Sequence, residues 1–113
     1  MKVLKSFRRL AAASAVALAI GGAAHADEVN IGFTGPLSGG AALYGENTLE
    51  GLRMAAEEIN AAGGITVDGE KHTINIQALD DKYSPSQAAV NGKRLVQQYN
   101  APVIFTPHSG GTF

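Results

Sequence analysis

The residues best able to do chemistry stand together at the end of the chain, in Pro107-His108-Ser109-Gly110-Gly111-Thr112. His108 next to Ser109 sets a base beside a hydroxyl, the ingredients of nucleophilic catalysis. Adjacent residues rarely aim at each other, however, and a Gly-x-Ser-x-Gly elbow needs glycine where Pro107 stands. Metal binding has no better footing. His25, His72 and His108 are scattered, and Asp80-Asp81 offers no ligand spacing with them. Adjacent acids of that kind serve as turn and capping groups. Gly35, Gly39, Gly40 and Gly45 do not form Gly-x-Gly-x-x-Gly, and the lysine of a Walker loop is missing. No cofactor is expected.

What remains is polar binding without a reaction. Ser109, Gly110, Gly111 and Thr112 bring two hydroxyls and several free backbone N–H groups. A helix starting near Thr112 would add the positive end of its dipole, which suits a carboxylate. The same residues serve equally as an ordinary strand-to-helix loop with a Ser or Thr cap. Spacing alone leaves both readings standing.

The elements that must position this loop follow from the hydrophobic pattern. Val29 to Thr34 is β-branched and aromatic, reads as the first strand, and ends at Gly35-Pro36 because proline has no N–H for a ladder. Gly35 to Gly40 is then a loop at that strand's C-terminal end. A helix from about Ala42 or Tyr44 to Ala62 carries Leu49, Leu52, Ala56 and Ile59 on one face. Gly51 within it implies close approach to the sheet, and Gly63-Gly64 ends it. Asp68-Gly69 turns a small hairpin between Ile65–Val67 and Lys71–Thr73, leading into a second strand over about Thr73 to Leu79. Ser84 caps the second helix, with Pro85 at its first position and Gln87 completing a capping box. That helix runs to about Tyr99 with Ala88, Leu95, Val96 and Tyr99 on its apolar face. Val103 to Phe105 is the third strand, whose end opens into the polar loop. Strands alternating with helices imply an α/β fold with a parallel sheet and right-handed crossovers. The expectation is the first half, β-α-β-α-β, of a doubly wound lobe, in which small molecules sit at the carboxyl ends of the strands.

Residues 1–26 read as an export signal rather than as part of this fold. Lys2, Lys5, Arg8 and Arg9 precede an apolar run from Leu10 to Ile20, and Ala24-His25-Ala26 makes an Ala-x-Ala cleavage site. At about 1.5 Å per residue the run falls short of a hydrocarbon core of about 30 Å. The chain has no cysteine, which excludes a lipid anchor on one and leaves stability to packing alone. Four of the nine Lys and Arg lie in the signal and all ten acids lie after it, so residues 27–113 carry a formal charge of −5. An acidic segment with few aromatics is a poor partner for nucleic acid or an anionic membrane.

The ordered set of these pieces resembles the periplasmic substrate-binding proteins of branched-chain amino acid ABC transporters, the leucine/isoleucine/valine-binding type. The residues that carry the resemblance are Ile31-Gly32, Gly35-Pro36-Leu37-Ser38-Gly39, Tyr44-Gly45 and Gly51. Ile59 to Ile65, Asp80-Asp81, Pro85 with Gln87-Ala88, and Val103-Ile104 leading to Ser109 complete the set. The resemblance implies a periplasmic, two-lobed clamshell, not an enzyme, that closes on an amino acid and delivers it to an inner-membrane permease. It implies that Ser109 binds the ligand's main-chain polar groups and that Tyr44 lines the side-chain pocket. Ser38, His108, Gly110 and Thr112 would complete the first lobe's wall. Thr106-Pro107-His108 and Gly110-Gly111 depart from a leucine binder's loop, and the broader family takes amides, urea and aromatic acids as well. His108 would then pair with a second carboxylate or stack on a ring. Residues 27–113 are expected to be an N-terminal part of such a protein, marginally folded and weakly binding alone. A ligand-sensing receptor lobe of the same fold is the alternative, and an exported enzyme a distant third.

Overall fold

The computed structural model describes residues 26–107. The elements follow in the order β1 (Asp27–Gly35), α1 (Ala42–Ala61), β2 (Ile65–Val67), β3 (Glu70–Asp80), α2 (Pro85–Gln97) and β4 (Ile104–Phe105). They form a four-stranded sheet in the order β2-β3-β1-β4. β1 is parallel to β3 from Asp27↔His72 to Gly35↔Asp80, and parallel to β4 at Gly32↔Ile104 and Phe33↔Phe105. The expected parallel α/β half-lobe is present.

Each parallel pair needs a crossover, and the two helices supply them over opposite faces of the sheet. Ile31, Ile74, Ile76 and Phe105 share an apolar cleft of about 160 Å³ with Leu52, Ala55, Ala56 and Ile59 of α1. On the other face a β-carbon on Gly32 would lie 3.1 Å from both Leu95 Cδ1 of α2 and Ile104 Cγ1. Phe33 and Leu95 are fully buried, and Leu49, Ala56, Ala88 and Ala101 complete the buried apolar set among the described residues.

The hairpin merges with the strand it was expected to precede. Asp68 and Gly69 have φ of 50° and 82°, the left-handed pair that a two-residue hairpin turn demands. β2 then pairs antiparallel with the start of β3, which runs unbroken from Glu70. Past His72, among the described residues, no strand lies beside the outer edge of β3, and Asn60 of α1 takes over. Its side-chain amide donates to the Ile74 carbonyl and accepts from the Ile74 N–H, both at 2.8 Å.

Three local expectations are corrected. Val96 is 53% exposed, and Asn91 lies buried in the α2 face instead. Asn91 is three residues after Ala88 and four before Leu95, so it shares their face whatever its polarity. The capping box is half made. The Gln87 N–H donates to Ser84 Oγ at 3.4 Å, but the Gln87 side chain donates onward to Asn91 Oδ1 at 3.0 Å. Gly51 does not approach the sheet, since a β-carbon there meets nothing within 4 Å.

Candidate ligand site at the strand ends

β1 lies between β3 and β4, and the chain leaves its C-terminal end toward β3 and returns on the other side at β4. Loops departing in opposite directions from neighbouring parallel strands leave a crevice between them, the place where open α/β sheets hold ligands. Here that crevice lies between the ends of β1 and β4. Its floor is tight. A β-carbon on Gly35 would lie 2.8 Å from Pro107 Cγ and Cδ, so the two strand ends abut.

The loop Pro36 to Ala41 forms one wall. Pro36 is fully buried. A β-carbon on Gly45, in the first turn of α1, would collide with the Pro36 carbonyl oxygen, so loop and helix are packed backbone to backbone. That contact brings α1 close enough for its first turn to border the crevice. α1 has Ala41 as its N-cap, with no side-chain cap and no acid in its first turn. The Ala42 and Tyr44 N–H groups donate to the Gly39 and Ala41 carbonyls, and the positive end of the helix dipole still favours an anion here.

Asp80, at the end of β3, braces this loop from the side. Its Oδ1 accepts the Leu37 N–H at 2.9 Å and the Lys82 N–H at 2.8 Å. Its Oδ2 accepts the Ser38 hydroxyl at 2.5 Å. Partial burial pushes the Asp80 carboxyl up, but the Ser38 hydroxyl, the Leu37 and Lys82 N–H groups and the Lys82 charge outweigh it. The carboxyl is held below the ordinary range. Asp81 turns inward and is 2% exposed. It accepts the Tyr83 N–H at 2.9 Å and the Thr34 hydroxyl at 3.4 Å. Asn91 completes this buried layer by donating to Thr34 Oγ1 at 3.2 Å and to the Asp80 carbonyl at 3.0 Å. The two acids are thus turn and capping groups, as their type and place imply, and Asp80 also ties two loops together. Among the described residues no group of three His, Cys, Asp or Glu is placed to hold a metal.

Of the residues expected to bind ligand, Ser38 and Tyr44 border this end of the sheet. Ser38 is exposed, its hydroxyl spent as a donor to Asp80 with lone pairs left over. Tyr44 is 75% exposed on the first turn of α1. His108, Ser109, Gly110 and Thr112 lie outside the described residues, as does the export signal. Asp80 and Gly45 escaped sequence reasoning as site-builders, because both act on residues far away in the chain or through space that a side chain would fill. Asp80 had one usable signal, an acid at a strand end opposite a Ser-Gly-Gly loop.

Comparison with known proteins gives a consistent picture. A family model described as periplasmic binding protein matches residues 28–113. An amino acid binding protein of Pseudomonas aeruginosa is 44% identical over 101 residues, covering 88% of this chain and 26% of its own length. The Leu/Ile/Val-binding protein homolog 7 of Brucella abortus is 36% identical over 104 residues, 92% of this chain and 25% of its own. Among solved structures, the branched-chain amino acid transporter substrate binding protein LivJ of Streptococcus pneumoniae, in complex with isoleucine, superposes with a TM-score of 0.67. It is 35% identical and covers 76% of this chain and 24% of its own. An ABC transporter solute binding protein of Rhodopseudomonas palustris in complex with benzoate matches with a TM-score of 0.56 and 30% identity, over 74% of this chain and 22% of its own. The chain therefore spans about a quarter of the length of these relatives.

Proposed function

The chain belongs to the periplasmic binding protein family, and from that premise we propose that it forms part of the ligand-binding lobe of an ABC importer's solute-binding protein. The observation that carries the reading is the crevice between the ends of β1 and β4, walled by the braced Pro36–Ala41 loop and the uncapped start of α1. A carboxylate suits that place, because the positive end of the α1 dipole favours negative charge. The proposed ligand is an amino acid, branched-chain or a related small carboxylate or amide. Ser109 would hold its main-chain polar groups, with Gly110, Thr112, His108 and Ser38 around it and Tyr44 against its side chain. The likeness to proteins seen with isoleucine and with benzoate supports a small carboxylate and leaves aliphatic and aromatic side chains both in play.

The work is binding rather than chemistry, and the proposed partner is an inner-membrane permease that receives the ligand-closed form. The proposed location is the periplasm, after cleavage of residues 1–26. The start of β1 at Asp27, directly after the Ala-x-Ala site, supports that boundary. Calorimetric titration of the full-length protein with leucine, isoleucine, valine, an amide and benzoate tests the reading. Saturable binding of any of them at one site supports it, and heat signals at the dilution baseline for all of them reject it. The mass of the exported protein tests the cleavage site.

A further inference from the structure

The loop Pro36–Ala41 is packed at its start, where Pro36 is buried, and open at its tip. Ser38, Gly39 and Gly40 are exposed, and a β-carbon on Gly39 or Gly40 would meet nothing within 4 Å. Among the described residues, its hydrogen bonds to another strand are two, from the Leu37 N–H and the Ser38 hydroxyl, and both end on Asp80, more than forty residues away in the chain. The same carboxylate takes the Lys82 N–H, so the turn after β3 and the loop after β1 share one anchor.

We propose that Asp80 is a positioning residue for ligand capture, holding the Leu37–Gly40 loop in its receptive form at the mouth of the β1/β4 crevice. The inference rests on the solute-binding reading and deepens it. A carboxylate suits this place best. Three donors converge on one side chain, and an ionised acceptor with two oxygens takes them all in charge-assisted bonds. An amide keeps Oδ1 for Leu37 and Lys82 and turns its NH₂ to the Ser38 hydroxyl as a donor, without the charge, and alanine releases all three. A loop that is receptive only part of the time lowers apparent affinity by that fraction, without loss of any ligand contact.

The test compares D80A, D80N and, as a control for stability alone, N60A in the full-length protein. Asn60 clamps Ile74 at the outer edge of β3, away from the crevice. Affinities for L-leucine, L-isoleucine and benzoate are measured by calorimetry, alongside melting temperature and amide exchange at Leu37. D80A is expected to weaken binding about tenfold or more and to speed exchange at Leu37, with D80N in between. N60A is expected to lower the melting temperature while leaving affinity within about twofold of wild type. Wild-type-like affinity in D80A, or an equal loss in N60A, overturns the positioning role alone. A wild type that binds none of the three probes overturns the solute-binding reading for them and the positioning role with it.

Discussion

The Pro36 carbonyl oxygen occupies the space that a β-carbon on Gly45 would need. No side-chain rotation relieves such a clash, because both partners are backbone. G45A must separate the β1–α1 loop from the helix. The expected cost is about 3 kcal/mol, at the upper end for overpacking, read as a lower urea midpoint. Because Tyr44 rides on the same turn, ligand affinity should fall together with stability.

Gly51, six residues further along the same helix, predicts the opposite sign. Its position is exposed and a β-carbon there meets nothing within 4 Å. G51A should raise stability by about 0.5–1 kcal/mol through reduced backbone freedom in the unfolded chain. A melting temperature above wild type with unchanged affinity is the expected result.

These two glycines show where sequence reading stops. Helical spacing puts Gly45, four residues before Leu49, on the apolar face and Gly51 off it, but it does not say that what Gly45 meets is a loop carbonyl. The helices were legible because their signals are local: Ser84-Pro85 at one start, Gly63-Gly64 at one end, and Leu49, Leu52, Ala56 and Ile59 at helical spacing. The parallel half-lobe was legible because strands alternating with helices leave few topologies. Asn91 was not, since an apolar template passes over a polar residue at a core position. Nor was the reach of Asp80, whose partners lie 42 and 43 residues away. At the site itself, Ser38 and Tyr44 fall at the expected end of the sheet, whereas His108, Ser109, Gly110 and Thr112 lie outside the described residues.

Asn91 carries the next prediction. It is 1% exposed, donates to Thr34 Oγ1 and the Asp80 carbonyl, and accepts from Gln87 Nε2. N91A opens a small void beneath the strand ends and leaves those groups short of partners in a place water reaches poorly. The expected loss is about 2–3 kcal/mol, with the denaturant slope unchanged. A loss below about 0.5 kcal/mol would mean that the layer is already hydrated.

Acid should act through Asp80 in a defined direction. Partial burial favours its neutral form, but the Ser38 hydroxyl, the Leu37 and Lys82 N–H groups and the Lys82 charge favour the carboxylate more, so the folded pKa lies below the unfolded one. A depressed carboxyl contributes stability that is complete above the unfolded value, near about pH 4. That contribution shrinks as pH falls toward the lowered folded value and is gone below it. The unfolded chain takes up its proton first, so protonation favours unfolding across this window. D80N has no such proton to take up. The stability gap between wild type and D80N should therefore be constant from neutral pH to about pH 5 and narrow as the pH drops below about 4. Urea midpoints of the two proteins across that range check the sign. A gap that widened in acid would show that the carboxylate is held above its ordinary pKa, and that burial rather than the three donors decides its charge.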